Sequence, residues 1–259
     1  MMRIGAVLLL VAWMGCGLLG VAAAHGAGIE LAVGGWHQDP GGDIGYKAVA
    51  TGDILDVDRD LRYDTENRVL GRIKIDMPAF LPNLYLAAAP SEFEARGQKN
   101  VNFRFGDQEF DGRFDFYSKL KMNQYDVGLY YGLPFVNTAT AGILNVDAGL
   151  NVRIFDLEAR LRQEETGISE KETITLPLPQ LYLGIQLTPV RWLAVEAEGR
   201  GLTVSGNSVY SLIGRLRFNV LGPAFVAAGY RYDRVDVDED DLRVDFTIQG
   251  PFVEVGLAF

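Results

Sequence analysis

The chain has 259 residues, a formal net charge of −10 at pH 7, 30 glycines, 48% hydrophobic residues and one cysteine. The acidic balance argues against a nucleic-acid partner, because phosphate backbones are held by surplus Lys and Arg. A single cysteine excludes an internal disulfide framework or a thiolate metal cluster, so the fold must be stabilised by other means.

Arg3 precedes an almost wholly apolar run from Ile4 to Val21, and Ala22-Ala23-Ala24 offers an A-x-A cleavage site. This reads as a secretory signal peptide over 1–24, with 25–259 as the folded part. Two alternatives are a retained transmembrane helix, which lacks a following basic stop-transfer cluster, and a lipoprotein acylated at Cys16, whose Trp13 is an unusual lipobox residue. No later segment approaches the roughly 18 consecutive apolar residues of a helical span, and none shows a sustained 3.6-residue apolar stripe.

The pattern beyond residue 27 is instead period-2 alternation, the signature of strands with one oily face. Ile29, Leu31 and Val33 alternate with Glu30 and Ala32. Gly34-Gly35 then marks a place where small side chains are wanted on both faces, read as a bulge or as packing space for Trp36. Val69, Gly71, Ile73, Ile75 and Met77 alternate with Arg68, Arg72, Lys74 and Asp76; Tyr125, Val127, Leu129 and Tyr131 alternate with Asp126, Gly128 and Tyr130. Leu144 to Ile154 alternates with Asn145, Asp147, Asn151 and Arg153, and Leu193, Val195 and Ala197 with Glu196, Glu198 and Arg200. Tyr210 to Val220 alternates with Ser211, Arg215 and Arg217, and Tyr230 and Tyr232 flank Arg231. The last strand places Val253, Val255, Leu257 and Phe259 on one face.

Ten strands result: 28–46, 66–78, 83–95, 114–133, 143–162, 172–188, 191–205, 208–221, 224–236 and 241–259. Short turns at 78–83, 188–191 and 221–223 alternate with long ones at 47–65, 96–113, 163–171 and 237–240. The fold class is an all-β, transmembrane, antiparallel up-and-down β-barrel of about ten strands, with eight or twelve as alternatives and a soluble β-sandwich or lipocalin-like barrel as a lower-ranked one. Alternation changes phase at Ile154-Phe155 and Gly250-Pro251, which a β-bulge would explain.

The charged face predicts a lumen network of Glu30, Arg72, Lys74, Asp76, Asp126, Asp147, Arg153, Glu196, Glu198, Arg200, Arg215, Arg217 and Arg231. Its signs nearly balance, so paired ions filling a narrow interior are preferred over a selective pore. Asp56, Asp58 and Asp60 in the first long loop, and Asp233, Asp236, Asp238 and Asp240 in the last, have carboxylates that suit Ca²⁺ or Mg²⁺, although neither run is an EF-hand. The preferred reading of both is a solvated loop, with no cofactor. His37 is the one histidine within the strands, His25 standing just past the cleavage site, and it is read as a rim residue; no G-x-S-x-G, H-E-x-x-H or phosphate-cradling motif occurs, so no catalytic residue is assigned.

Glu30-Leu31-Ala32-Val33-Gly34-Gly35-Trp36, Tyr63-Asp64, Asn67-Arg68, Gly71-Arg72, Leu81 to Leu86, Tyr125 to Phe135 and Leu150 to Arg153 resemble an uncharacterised family of proteobacterial outer-membrane barrels marked by a Gly-Gly pair. The resemblance implies a barrel and an outer-membrane address in a Gram-negative cell, and carries no activity. The ending through Val255, Leu257 and Phe259 looks like the strand signal read by the barrel-assembly machinery. The expected function is an integral outer-membrane protein, monomeric, with a largely filled lumen and a structural or binding role at the cell surface. Its partners are outer-membrane lipid and lipopolysaccharide. The alternatives are a narrow small-solute channel and a barrel-embedded hydrolase or acyltransferase.

Overall fold

The computed structural model describes residues 28–259 apart from 79 and 240. The signal peptide expected over 1–24, with Cys16, lies outside the described residues. Ten antiparallel strands close on themselves: β1 (Ile29–Tyr46), β2 (Glu66–Ile75), β3 (Asn83–Ala89, continued by Glu92–Gly97), β4 (Phe116–Gly132), β5 (Leu144–Gln163), β6 (Ile168–Val190), β7 (Leu193–Val204), β8 (Asn207–Leu221), β9 (Ala224–Glu239) and β10 (Leu242–Ala258). The two parts of β3 pair with β4 in one register, Ala89 opposite Gln124 and Glu92 opposite Lys121, so Pro90-Ser91 interrupts one strand and does not separate two. The seam is β1 against β10, from Glu30 opposite Ala258 to Tyr46 opposite Leu242. Closing the sheet at this seam removes the two free edges that an open sheet would present to hydrocarbon.

The strands are longer than a crossing requires. β5 has 20 residues and β6 has 23, where about 10 suffice for a tilted transmembrane strand. The surplus rises above the belt as a second barrel storey with inverted polarity. On β5 the outward residues change from Leu150, Val152 and Ile154 to Asp156, Glu158 and Arg160. The inward ones change from Asn151 and Arg153 to Phe155 and Leu161, which are buried. The same change occurs on β4 between Tyr125 and Asn123, on β9 between Tyr232 and Arg234, and on β10 between Pro251 and Gln249. It falls on paired residues: Asn123 opposite Asp156, His37 opposite Asn67.

This corrects the expected bulges. The β5–β6 and β4–β5 registers run unbroken through Ile154-Phe155, and β9–β10 runs unbroken through Gly250-Pro251. The side chains never change face; the surroundings do. Hydrocarbon outside and charge inside give way to water outside and oil inside. The register shifts that do occur lie near short turns, between Leu187 and Val190 and between Asn219 and Leu221.

Two of the four long loops are also corrected. Residues 163–171 and 237–240 belong mostly to strands, because β5–β6 stays paired to Gln163 opposite Ile168 and β9–β10 to Glu239 opposite Leu242. The other two fold inward. Leu55, Val57, Leu61 and Tyr63 from the first loop, and Phe103, Phe105 and Phe110 from a hairpin pairing 103–105 with 108–110, are buried with Phe93, Phe116, Phe155 and Phe246 in one apolar cluster. Phe103 stacks on Phe110 at 5.2 Å and tilts against Phe116 at 5.1 Å. At the other end, a short helix α1 (Pro134–Ala139) fills the turn between β4 and β5.

Asp53 ties the two inward loops together. Its carboxylate accepts from the amides of Val49 and Ala50, both at 2.9 Å, and of Arg104 at 2.8 Å. Burial alone would raise its pKa; the three amides more than reverse this and hold the carboxyl below its usual range. Because the folded pKa is depressed, this contribution is complete above the unfolded value of about 4 and is lost as pH falls through the lower folded value. Hydrogen exchange of residues 98–115 is therefore expected to accelerate below about pH 4 in the wild type. Asp53→Ala should show the fast exchange already at pH 7.

Candidate functional site

Alternation on eight of the ten strands aims charged side chains at the axis below the apolar cluster, and they meet as two groups. In the lower group, Glu30 is bridged by Arg72 and by Arg217, the latter at 2.5 Å; Arg72 also reaches Glu254 at 3.2 Å. Glu198 receives Lys74 at 3.2 Å, Arg200 at 2.6 Å and Arg215 at 3.1 Å, and Arg215 also reaches Glu196 at 3.2 Å. In the upper group, Arg153 grips Asp126 with two bonds of 2.8 and 2.9 Å, and Arg231 holds Asp233 at 2.8 Å and Gln124 at 2.8 Å. Asn151 donates to Asp126 and Gln180.

Arginine dominates for a geometric reason. Its flat guanidinium binds carboxylates edge-on while presenting a face to a ring. Arg217 lies 4.0 Å over Phe225, Arg231 4.6 Å over Trp36, and Arg200 4.4 Å over Tyr85 and 5.3 Å over Tyr182. Carboxylates and aromatic rings together replace the water these ions have lost. All of these arginines are buried, as are Glu196, Glu198, Asp126 and Asp233.

Eleven of the thirteen predicted lumen residues join the two groups. Asp76 and Asp147 do not: among the described residues neither makes an ion pair. They line, with Glu30, Lys74, Tyr130, Asn145, Gln186, Glu196 and Glu198, a cavity of about 340 Å³ at the end that holds the short turns. Asp76 accepts there from the Tyr130 hydroxyl at 3.4 Å. Above it, Tyr85, Tyr130 and Tyr182 cluster under Arg200, so the cavity is a blind cup.

Sequence reasoning missed Glu254, Gln124, Asn151, Gln180 and Trp36 as partners, and counted Asp233 with the acids of the last loop although it falls inside the expected strand 224–236. The structure corrects that: Asp233 is a buried strand residue two places from Arg231, on the same inward face. Strict parity along β9 and β10 was the available signal for both acids.

The other predicted residues sit elsewhere. Asp56 caps the turn at 57–61 by accepting from the amides of Asp58 and Arg59, and it binds the Arg59 guanidinium; Asp60 takes Lys99 at 2.7 Å. Asp236 and Asp238 lie on β9, Asp236 beside Arg234 at 3.3 Å; Asp240 lies outside the described residues. Among the described residues no group of three or more His, Cys, Asp or Glu is placed to hold a metal. His37 faces outward at the polarity change, with its ring 3.0 Å from the Asn67 amide oxygen. Val255, Leu257 and Phe259 face outward and are exposed, and Phe259 exchanges backbone hydrogen bonds with Ile29 at the seam.

Among solved structures, the chain is similar to the outer membrane protease OmpT from Escherichia coli, with 10% identity over 90% of this chain and 97% of that one and a TM-score of 0.55. The fold is that of an outer-membrane β-barrel. The translocator domain of autotransporter NalP from Neisseria meningitidis matches at 12% identity, covering 98% of both chains with a TM-score of 0.44. The attachment invasion locus protein Ail of Yersinia pestis matches at 8% identity over 90% of this chain and 99% of that one, with a TM-score of 0.33. No protein-family model matches the chain, and no curated protein does.

Proposed function

We propose that this chain is an integral outer-membrane protein with a sealed lumen, whose role is structural or in binding at the cell surface and not in conduction. The observation that carries this reading is the double seal. Ion pairs and stacked arginines fill the belt section, and an independent apolar plug fills the storey above it. A permeating ion would have to displace partners from buried charges, each several kcal/mol or so out of equilibrium once unpaired. The upper storey, polar outside and oily inside, is a folded head carried clear of the bilayer, which suits display to an extracellular partner. Outer-membrane lipid and lipopolysaccharide surround the belt, the assembly machinery reads the terminal strand, and the barrel acts as a monomer without a resident cofactor. The Gly-Gly family resemblance supports the same address.

The experiment is reconstitution in a planar bilayer. Stable insertion without single-channel steps is expected, and ohmic steps would overturn the reading in favour of a small-solute channel. The reading also assigns no catalysis. Lipid- or peptide-directed hydrolysis that disappears in His37→Ala would replace it with a barrel enzyme.

A further inference from the structure

One side of the upper storey is open. β6 pairs with β7 only up to Leu181 opposite Gly201, whereas it stays paired with β5 as far as Ile168 opposite Gln163. The β7–β8 hairpin turns back at Val204 opposite Asn207. Among the described residues no strand pairs with the edge of β6 from 168 to 180, although the plug hairpin packs near Glu170. Four inward-facing apolar side chains are uncovered at this break: Ile174 is 39% exposed, Leu176 42%, Leu202 36% and Val204 55%. Leu176 is paired with Phe155, which is buried in the apolar cluster, so the break opens onto that cluster.

The lower part of the break lies at membrane depth. Pro177 is opposite Ile154 and Pro179 opposite Val152, and Ile154 and Val152 belong to the outward apolar belt. An uncovered strand edge in hydrocarbon would leave unsatisfied N–H donors, each costing several kcal/mol or so. Proline has no N–H. The β5–β6 ladder is unbroken here, and proline is tolerated in a sheet only where its missing donor faces away from a paired neighbour. Pro177 and Pro179 therefore stand at the two positions of membrane depth where β6 would otherwise present donors to the vacant side. The same bare edge disfavours a second copy of this chain docking by strand addition.

We infer that this break between β6 and β7 is a lateral site for the acyl chain of a membrane lipid, which enters from the belt beside Pro177 and Pro179 and lies against Leu176, Leu202 and Val204. The exposed, lipid-facing Leu181 and Leu183 lie on the same strand just below the break, so the nearest apolar occupant is the hydrocarbon that already surrounds the barrel. The inference rests on the barrel being embedded in a membrane.

The test uses the full-length folded protein in vesicles of phospholipid carrying a diazirine in its acyl chain, photolysed and digested, with adducts mapped by mass spectrometry. Adducts are expected on the belt at Leu181 and Leu183 and also at Leu176, Leu202 or Val204, with none at the buried Leu161. Leu202→Trp, which fills the break, should reduce adducts at Leu176 to the level of Leu161 and leave Leu183 unchanged. Belt labelling without labelling at Leu176, Leu202 or Val204 would overturn the inference while leaving the embedded barrel intact. Loss of belt labelling would overturn the embedded barrel itself. A cross-link between two copies at the β6 edge would replace the lipid with a dimer.

Discussion

Replacing Glu198 by alanine is expected to cost about 3–5 kcal/mol of folding stability, the range for removing one partner from a buried ion pair. Glu198 is the meeting point of Lys74, Arg200 and Arg215, and its loss leaves three cations with one carboxylate fewer at the buried roof of the cup. Glu198→Gln keeps the volume and an acceptor oxygen, and should fall between wild type and alanine. The measurement is the urea midpoint followed by the mobility difference between folded and unfolded barrel on unboiled gels. A midpoint unchanged in Glu198→Ala would mean that the lumen charges are hydrated and that the barrel is not filled. Arg200→Lys provides a second reading of the same design, since lysine keeps the charge but cannot lie flat between Tyr85, Tyr182 and Glu198.

The second large effect belongs to the Gly-Gly pair, and the two glycines should behave oppositely. A β-carbon on Gly34 would lie 2.0 Å from the backbone carbonyl oxygen of Val253 on the facing strand, whereas one on Gly35 meets nothing within 4 Å. Gly34 faces the lumen at the seam where β1 meets β10; Gly35 faces outward in the belt. Gly34→Val should therefore prevent closure and leave no heat-modifiable folded band, while Gly35→Val adds a lipid-facing methyl pair and should fold as wild type. Equal folding of both variants would show that the seam has room. The sequence reading wanted small residues on both faces; the requirement is one-sided, set by a backbone approach that no local pattern reveals. Gly250 poses a similar constraint from the other strand, with φ at +148° and a β-carbon position 1.9 Å from the His37 carbonyl oxygen.

Much of the fold was legible because alternation is strict wherever the surroundings stay constant. From Leu144 to Ile154, or from Tyr210 to Val220, one face meets oil and the other meets charge, and the strand and its lumen residues follow directly. Legibility failed where the surroundings changed along an unbroken strand. At Ile154-Phe155 the pattern reverses, and a bulge and a change of medium write the same letters. That ambiguity also hid the strand character of Asp238, which looks like a loop acid because it faces water, and ended the expected strand at Asp236. The plug hairpin was missed although Phe103-Arg104-Phe105-Gly106-Asp107 alternates and then turns; its three-residue strands are shorter than the windows in which alternation is counted. The partners of the charged residues depend on which strands become neighbours around the cylinder, as when Arg217 on β8 meets Glu30 on β1, and no local spacing encodes that.

The reversal of polarity also fixes how deeply the molecule sits. On β10 the oily outward row from Pro251 to Phe259 covers roughly 26 Å of strand at ~3.3 Å per residue, or about 20 Å of vertical height at the usual tilt. Sliding outward by one repeat would lift Pro251, Tyr232 and Ile154 into water, and sliding inward would drag Gln249, Arg234 and Asp156 into hydrocarbon. Each direction is penalised on several strands at once, so the barrel floats at one waterline and matches a thin bilayer better than a thick one.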